Sequence, residues 1–478
     1  MTAQGFSEGT SFTAAAGLSL VWSVLMLFIW YPGSMSTDSI EILRQARTGD
    51  LSDAWSPYLA LLWAPLDKVS PGPQLMLLLQ LLLYSLGAAL TLASLFRGAA
   101  LALGFLIFSF WPPLLGIIGV IWSDIFMAGF LLMALGTATA SYQHAQRRTL
   151  LLAISFLFLF LAISMRHNAG AAVVPIAAAV VFMALEGRLR FVARFFVSVF
   201  GGAAVAVCLL ALASIVSSQI VEKRAHLWTV IAQYDIAGIA AASTGDVDIS
   251  VLAPQTLEDV RTLYTPRSLV PLMVGRQVHE DEGGRPSKSA TPFQYDHFQE
   301  NPSARTALAE TWMQLVAEFP WEYLAHRSAV FASLVGLPPF EMLWGPVFSR
   351  IDENDLGVQS RPSDHETFYF ETLNELAAAD IFKPYYYLMA SVVGLIVSVA
   401  FFAATNRLTF AVATALFGSG CLHMVGLFFA TGSADFRYSH WMIAATVLAS
   451  LIVLIELIEF AGRLAASRLE TLAKGAQE

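Results

Sequence analysis

Side chains able to act on a phosphate ester stand at four separate points of the chain. Asp38 and Asp124 are carboxylates, which can take a proton from a hydroxyl or hold an arginine in place. Arg166 and Arg437 carry guanidinium groups, whose planar fork matches the oxygens of a phosphate and keeps its charge near lipid. Tyr438 follows the second arginine directly. These residue types suit a site that binds an anion, such as a phosphate, and takes up a proton.

Further candidates lie next to these points. His167 and His440 are imidazoles beside the two arginine positions, and we expect them to help orient the group that the arginines bind. Glu41 lies about one helical turn after Asp38 and is a supporting carboxylate. A divalent metal shared by Asp38 and Asp124 stays open, and the residues identify no cofactor.

The composition places the chain in a membrane. Of its 478 residues, 56% are apolar and only 13% are charged, whereas a soluble domain has about 25% charged residues. The net charge of −9 excludes the basic surface that nucleic-acid binding requires. We predict a mainly α, polytopic membrane protein with about ten transmembrane helices. The apolar runs lie at about 13–33, 73–96, 99–121, 124–142, 149–165, 168–186, 195–216, 384–404, 408–430 and 441–460.

Basic residues near the ends of these runs give the orientation. Ten lie in short loops and the tail on the side of both termini, and five lie in short loops on the opposite side. Because basic loops stay in the cytoplasm, we expect both termini there. The first run has no basic segment before it and no cleavage site after it, so it is predicted to be a retained helix. The Ala- and Leu-rich composition favours a bacterial plasma (inner) membrane.

A polar insert divides the chain into the parts 1–216, 217–383 and 384–478. The insert, residues 217–383, holds 12 basic and 23 acidic residues, a charge of −11, and follows the seventh apolar run. It is therefore predicted to be an extracytoplasmic domain, mixed or α-rich. Asn301-Pro302 is typical of a helix start, and apolar residues at helical spacing follow until Pro320. A second amphipathic helix is predicted at about 321–336.

The connection after the first apolar run, residues 34–72, is unusually long. It contains an amphipathic pattern at 38–47, which ends before Gly49, and an apolar pattern at 55–66. The second pattern has only twelve residues, which is too short to span a bilayer and suits a helix lying in the interface. We predict two interfacial helices in this first outer loop, the first of them opened by Asp38.

Each candidate also has a purely structural interpretation. Asp38, with Glu41 three positions later, has the form of a helix N-cap and its partner. Arg166 could extend to the lipid head groups without any further role. The predicted topology favours function, because all the candidates fall at the same membrane face. Charges of both signs at one depth of a membrane are typical of a site.

This layout resembles that of the GT-C glycosyltransferases, and within them the bacterial protein-mannosyltransferase and aminoarabinose-transferase branch. The resemblance covers about 1–200 and 384–460. It rests on the acidic start of the first outer loop at Asp38, on Trp122-Ser123-Asp124, on Arg166-His167-Asn168 and on Asp435-Phe436-Arg437-Tyr438. Trp55-Ser56-Pro57 has a serine where that branch often has a histidine.

The resemblance implies a reaction. Enzymes of this family move a sugar, such as a hexose or a pentose, from a polyprenyl phosphate to a hydroxyl of a glycan, lipid or protein acceptor at the extracytoplasmic face. It implies that Asp38 is the catalytic acidic residue and that Arg437-Tyr438 is the family's Arg-Tyr element. The bilayer, the polyprenyl-phosphate-linked sugar and the acceptor are the expected partners.

Two other functions stay open. A secondary transporter is favoured by Trp111-Pro112-Pro113, which interrupts the third apolar run. Another lipid-linked glycan enzyme, such as a ligase or polymerase, would also use basic residues at the outer surface. The glycosyltransferase is favoured because charged residues of both signs lie at one membrane face. The insert also divides the predicted spans unevenly, which argues against a transporter.

Overall fold

The structure, a computed structural model, describes residues 8–166, 168–276, 291–360 and 362–475. Helices dominate all four ranges. Within them the backbone forms isolated β-bridges but no strand. The predicted fold class, a mainly α polytopic membrane protein, is confirmed.

The helices follow one another with short connections in both terminal parts of the chain. Before the insert they are α1 (Glu8–Trp30), α2 (Thr37–Thr48), α3 (Pro57–Val69), α4 (Gln74–Leu95), α5 (Gly98–Ser109), α6 (Pro112–Ile118), α7 (Ser123–Gln143), α8 (Arg148–Met165), α9 (Ala169–Ala184) and α10 (Phe191–Ile220). The later ones are α11 (Trp228–Ala242), α12 (Leu257–Leu263), α13 (Val270–Val274), α14 (Tyr295–Glu300), α15 (Pro302–Glu318), α16 (Pro320–Val335), α17 (Asp364–Leu376), α18 (Pro384–Thr405), α19 (Leu408–Ala430) and α20 (Phe436–Gly475). Short 3₁₀ turns lie at Ala145–Arg147, Ser250–Leu252 and Asp380–Phe382.

Every predicted apolar run corresponds to helix. In the described part of the chain, eight helices are long and apolar enough to cross a membrane: α1, α4, α7, α8, α10, α18, α19 and α20. Helices α5 and α6 pass the same test as a pair bent by 58°, and the bend lies where Pro112 starts α6. Helix α9 has only 16 residues and does not pass this test, so the described residues contain eight or nine candidate spans and not the ten predicted. The chain is therefore a multi-pass membrane protein.

Helix α7 lies at the centre of the bundle. Of its most apolar 18-residue window, 94% is buried. A Cβ on Gly87 of α4 would lie 2.5 Å from the backbone of Leu132, and one on Gly136 would lie 2.7 Å from the Gly87 carbonyl oxygen. The two helices thus approach at glycine, as small residues allow in a membrane. The first turn of α7, which carries Asp124, is buried with the rest of the helix.

The two short helices predicted in the first long connection are confirmed. Helix α2 ends at Gly49, whose φ of +84° is the left-handed conformation that glycine adopts at helix ends. Helix α3 begins with Pro57, and the Ser56 hydroxyl caps it by accepting the backbone N–H of Leu59 at 3.2 Å. The interpretation of Asp38 as the N-cap of α2 is wrong, because Ser36 occupies that position. The Asp38 side chain is free to bind elsewhere.

The insert has a small apolar core of its own, formed mainly by helices α11, α12, α15 and α16. Both predicted helices are present, and Asn301 caps α15 by accepting the backbone N–H groups of Ser303 and Ala304 at 3.1 and 3.3 Å. Helix α16 begins at Pro320. The start signal of α15 and the amphipathic pattern of α16 were thus sufficient to place them.

A buried ionic network joins the insert to the segment that leads into α20. Asp235 of α11 is fully buried and binds His326 at 3.0 Å and Arg327 at 2.6 Å. Arg327 also donates to the carbonyl oxygen of Thr431 at 2.8 Å. Because removing one partner of a buried ion pair is costly, this network holds Thr431 against the insert.

Candidate functional site

Segments far apart in the chain bring an acidic and a basic side chain together at the start of α20. Arg437 Nη1 lies 2.6 Å from Asp38 Oδ2, in the first turn of α2. The Nε of the same guanidinium lies 2.8 Å from Asp435 Oδ2. The indole N–H of Trp55 donates to the other oxygen of Asp38 at 3.3 Å. Arg437 therefore stands between two carboxylates, one of them 399 positions away in the sequence.

A second pair of the same kind lies beside the first. Arg166, between α8 and α9, places its Nε 3.3 Å from Asp124 Oδ1. Only 3% of the Asp124 side chain is exposed, and its second oxygen, Oδ2, has no hydrogen-bond partner among the described residues. Asp124 thus pairs with Arg166 through one oxygen, while the other is buried without a partner among the described residues.

One aromatic ring lies against both arginines. The guanidinium carbons of Arg166 and Arg437 are 5.0 and 5.1 Å from the centre of the Tyr438 ring. Arg437 also lies 4.9 Å from the ring centre of Trp122. Cation–π contacts of this length stabilise a guanidinium while leaving its N–H groups for a polar partner. Two cations are therefore held side by side.

Backbone pairing holds the segments that carry Asp38 and Asp124 next to each other. The segment before α2 and the segment before α7 exchange hydrogen bonds, from Ser34 N–H to Gly119 C=O at 2.9 Å and from Ile121 N–H to Ser34 C=O at 3.0 Å. The Ser39 hydroxyl in the first turn of α2 donates to Ile121 C=O at 2.7 Å. The first turns of α2 and α7 are thereby fixed to one another.

The electrostatic environment gives different pKa values to Asp38 and Asp435, the two acids that contact Arg437. Burial alone would raise the pKa of Asp38, but Arg437, followed by Arg166 and the Trp55 hydrogen bond, holds that pKa below its ordinary value. Burial raises the pKa of Asp435 to about 6 in spite of Arg437. Asp38 is therefore ionised at neutral pH, whereas Asp435 titrates close to neutral pH.

Glu41 and His440 lie apart from this cluster. Glu41 lies one turn further along α2 and pairs with Arg44 at 3.3 Å. His440 is fully buried one turn deeper in α20, with its ring 5.6 Å from that of Tyr84 and without a hydrogen bond to any described residue. His167 lies outside the described residues. Of the candidate residues, Asp38, Asp124, Arg166, Arg437 and Tyr438 form the cluster.

Sequence reasoning did not assign a role to several residues that complete the site. Asp435 and the two tryptophans, Trp55 and Trp122, all contact the first pair. His423 of α19 places Nε2 3.1 Å from the Tyr438 carbonyl oxygen, at the start of α20. The first three belong to short stretches that the sequence had marked. The position of His423 inside an apolar helix gave a weaker signal.

Each of the two carboxylates considered for a metal, Asp38 and Asp124, has an arginine as its partner. Within the described ranges, no group of three or more His, Cys, Asp or Glu side chains is arranged to hold a metal ion. Asp38 and Asp124 bind separate arginines instead. The positive partners of these acids are thus guanidinium groups.

Comparison of the chain with family models, with curated proteins and with solved structures finds no match. The chemistry of the site therefore rests on its own geometry. That geometry is a pair of arginines on one tyrosine ring, each bound to a carboxylate from a different segment.

Proposed function

We propose that this protein is a membrane glycosyltransferase of the GT-C type, which moves a sugar from a polyprenyl phosphate to an acceptor hydroxyl at the extracytoplasmic face. The observation that carries the proposal is the meeting of two Asp–Arg pairs around Tyr438 at one end of the helix bundle. Charges of both signs held at one depth of a membrane protein cost free energy, so their presence favours a function.

The two arginines suit a lipid-linked phosphate. Each guanidinium offers several N–H donors in a plane, and two of them side by side can bind the phosphate oxygens and offset the charge that grows as the sugar departs. A polyprenyl phosphate is already a stable anion, so the reaction needs no general acid. Arg166 and Arg437 therefore bind the donor phosphate and stabilise the leaving group.

Asp38 is the proposed base. The acceptor oxygen attacks the anomeric carbon of the sugar, the bond from that carbon to the phosphate oxygen breaks, and the acceptor proton passes to Asp38. Without donor, Arg437 holds the pKa of Asp38 down, which makes the carboxylate a weak base. A donor phosphate competes for Arg437 and weakens this ion pair, so the pKa of Asp38 rises towards its ordinary value. Binding of the donor thus prepares the base.

Asp124 has a different role in this mechanism. One of its oxygens orients Arg166, and the other is buried without a partner among the described residues. A carboxylate oxygen in that state accepts readily from a hydroxyl, because an unpaired buried acceptor is costly. We assign this oxygen to a hydroxyl of the donor sugar.

The raised pKa of Asp435 gives a pH dependence. Above about pH 6 its carboxylate is ionised and orients Arg437; below that pH it is protonated and the ion pair is lost. We expect kcat/KM for the donor to fall as the pH is lowered through about 6. Asp435→Asn should have a low kcat/KM for the donor at every pH, with no change of slope near pH 6. A change of slope that persists in the variant would assign it to another group.

The proposed extracytoplasmic site fixes which loops face outside. Gly245 of the insert and Ala145 between α7 and α8 are both exposed. After replacement of the two native cysteines, Cys208 and Cys421, a cysteine at position 245 should react with an impermeant thiol reagent on intact cells. One at position 145 should react only after lysis. The reverse labelling would turn the site to the cytoplasm and contradict the proposal.

The activity itself is tested by mass spectrometry of cell-envelope lipids, glycans and proteins from a strain that lacks the gene. One species should lose a single sugar increment. The wild-type chain should restore it, and Arg166→Ala should not. Restoration by Arg166→Ala to the wild-type level would separate the increment from the proposed site, and an unchanged envelope would contradict the proposed function.

A further inference from the structure

One segment of the insert, residues 343–358, runs between the start of α20, which we call the basic half of the site, and the start of α2 with Asp38, which we call the acidic half. At its start, the N–H of Leu343 donates to the carbonyl oxygen of Ala434 at 2.9 Å. The N–H of Phe436 donates back to Trp344 at 3.3 Å. These bonds flank Asp435, in the part of the site that carries Arg437. The crossing segment, as we call 343–358, is thus tied to the basic half.

The same segment is tied to the acidic half further along. Met35, three positions before Asp38, donates its N–H to Arg350 C=O and accepts the N–H of Asp352, both at 2.9 Å. A parallel bridge joins Met35 and Ile351. The crossing segment therefore spans from the residues around Arg437 to the residues just before Asp38.

Asp352 completes the start of α2. The residue at the N-cap position, Ser36, makes no side-chain capping bond. Instead, Asp352 Oδ2 accepts the backbone N–H of Thr37 at 3.0 Å and lies 3.3 Å from its hydroxyl. A carboxylate at this place satisfies an N–H that the helix itself leaves without a partner and interacts favourably with the helix dipole. The next residue in the chain is Asp38.

Other contacts hold Asp352 in place. Its Oδ1 accepts Nε of Arg350 at 2.8 Å, and its carbonyl oxygen accepts the side-chain amide of Asn354 at 2.9 Å. The Asn354 Oδ1 in turn accepts the N–H of Leu356 at 3.1 Å. The turn that supplies the cap of α2 is therefore stabilised by its own hydrogen bonds.

We infer that Asp352 is a positioning residue for the reaction proposed above, on which this inference rests. It fixes the first turn of α2 through Thr37 and so keeps Asp38 within reach of Arg437 and of the acceptor. The insert then contributes a positioning residue to the catalytic apparatus. Asp352 acts through Asp38 and need not touch either substrate.

The chain offers a matched control on the same segment. Asp355 also binds α2, through a two-fold contact with Arg44 at 2.8 and 3.0 Å. Its side chain is 73% exposed, and ion pairs in that position contribute little. Asp355→Ala removes the same chemical group from the same segment but leaves the first turn of α2 capped.

The test compares Asp352→Ala, Asp352→Asn and Asp355→Ala in the full chain. Losing a helix cap changes a local equilibrium by about tenfold. In Asp352→Ala we expect kcat for sugar transfer to fall about tenfold with KM for the donor within about twofold, and amide hydrogen exchange of residues 36–41 to rise by a similar factor. Asp352→Asn should restore both, because asparagine caps helices about as well as aspartate. Asp355→Ala should match the wild type.

Hydrogen exchange keeps the test separate from the proposed function. An unchanged kcat in Asp352→Ala, or an equal loss in Asp355→Ala, would overturn the positioning role. Unchanged exchange of residues 36–41 in Asp352→Ala would overturn it too, whether or not the protein transfers a sugar. If the wild type transfers no sugar while exchange rises in Asp352→Ala alone, the cap stands and the proposed function fails, and with it the role in catalysis.

Discussion

Asp38→Asn is expected to lower the rate of sugar transfer by about 10²–10⁴-fold, the usual cost of losing a positioned base. Asparagine keeps the size of the side chain and can still accept the Trp55 hydrogen bond, but it cannot take the proton of the acceptor. The residue is not the cap of α2, so the helix should form normally. Transfer is measured in membranes that hold equal amounts of each variant.

Glu41→Gln is the control for this loss. Glu41 is on the same helix and is also paired with an arginine, but at a distance of 3.3 Å and outside the cluster. Its variant should transfer sugar at nearly the wild-type rate. Both variants should give monodisperse detergent extracts. Wild-type rates in Asp38→Asn would end the proposed mechanism, and a loss confined to Glu41→Gln would move the base one helical turn along.

Arg437→Ala and Arg166→Ala are expected to weaken the binding of polyprenyl phosphate. Removing one partner of a buried charged contact costs on the order of 2–5 kcal/mol, and every 1.4 kcal/mol is about tenfold in affinity. Lysine at either position should recover only part of the loss, because it lacks the bidentate fork. Titration of the purified variants with polyprenyl phosphate, read by native mass spectrometry, measures the effect.

Arg407→Ala is the matched control for the arginine variants. Arg407 precedes α19 and binds Glu456 of α20, so it lies at the opposite end of these helices from the site. Its loss should leave the affinity for polyprenyl phosphate unchanged. Equal affinities in all three alanine variants and the wild type would show that Arg166 and Arg437 only extend towards lipid head groups.

The elements that the sequence predicted well are those with local signals. Gly49 ends α2, Ser56-Pro57 starts α3 and Asn301-Pro302 starts α15. In each case the backbone near a helix end is satisfied by a residue within about four positions. The apolar runs are equally local, because length and hydropathy alone decide whether a segment crosses a bilayer. In the described part of the chain, the third run is bent between α5 and α6, and the run at 168–186 forms only the 16-residue α9.

The parts that could not be predicted depend on distant contacts. The cap interpretation of Asp38 failed because α2 begins earlier, at Thr37, whose N–H is bound by Asp352 from 315 positions away. Nothing near α2 in the sequence indicates this partner. His440 was grouped with Arg437 because both start α20, yet it lies one turn deeper, where Tyr84 of α4 faces it. Helix packing, and not spacing along the chain, decides which of these residues reach the site.

The central claim is that the protein releases polyprenyl phosphate from a polyprenyl-phosphate-linked sugar, whatever the sugar and acceptor are. The most direct measurement uses proteoliposomes that contain the purified protein and a lipid extract of its source membrane, analysed by liquid chromatography and mass spectrometry. With the wild type, the polyprenyl-phosphate-linked sugar should decrease, free polyprenyl phosphate should increase by the same amount, and an acceptor should gain one sugar. With Asp38→Asn the three pools should stay constant. Pools that do not change with the wild type, or that change equally with Asp38→Asn, would contradict the account.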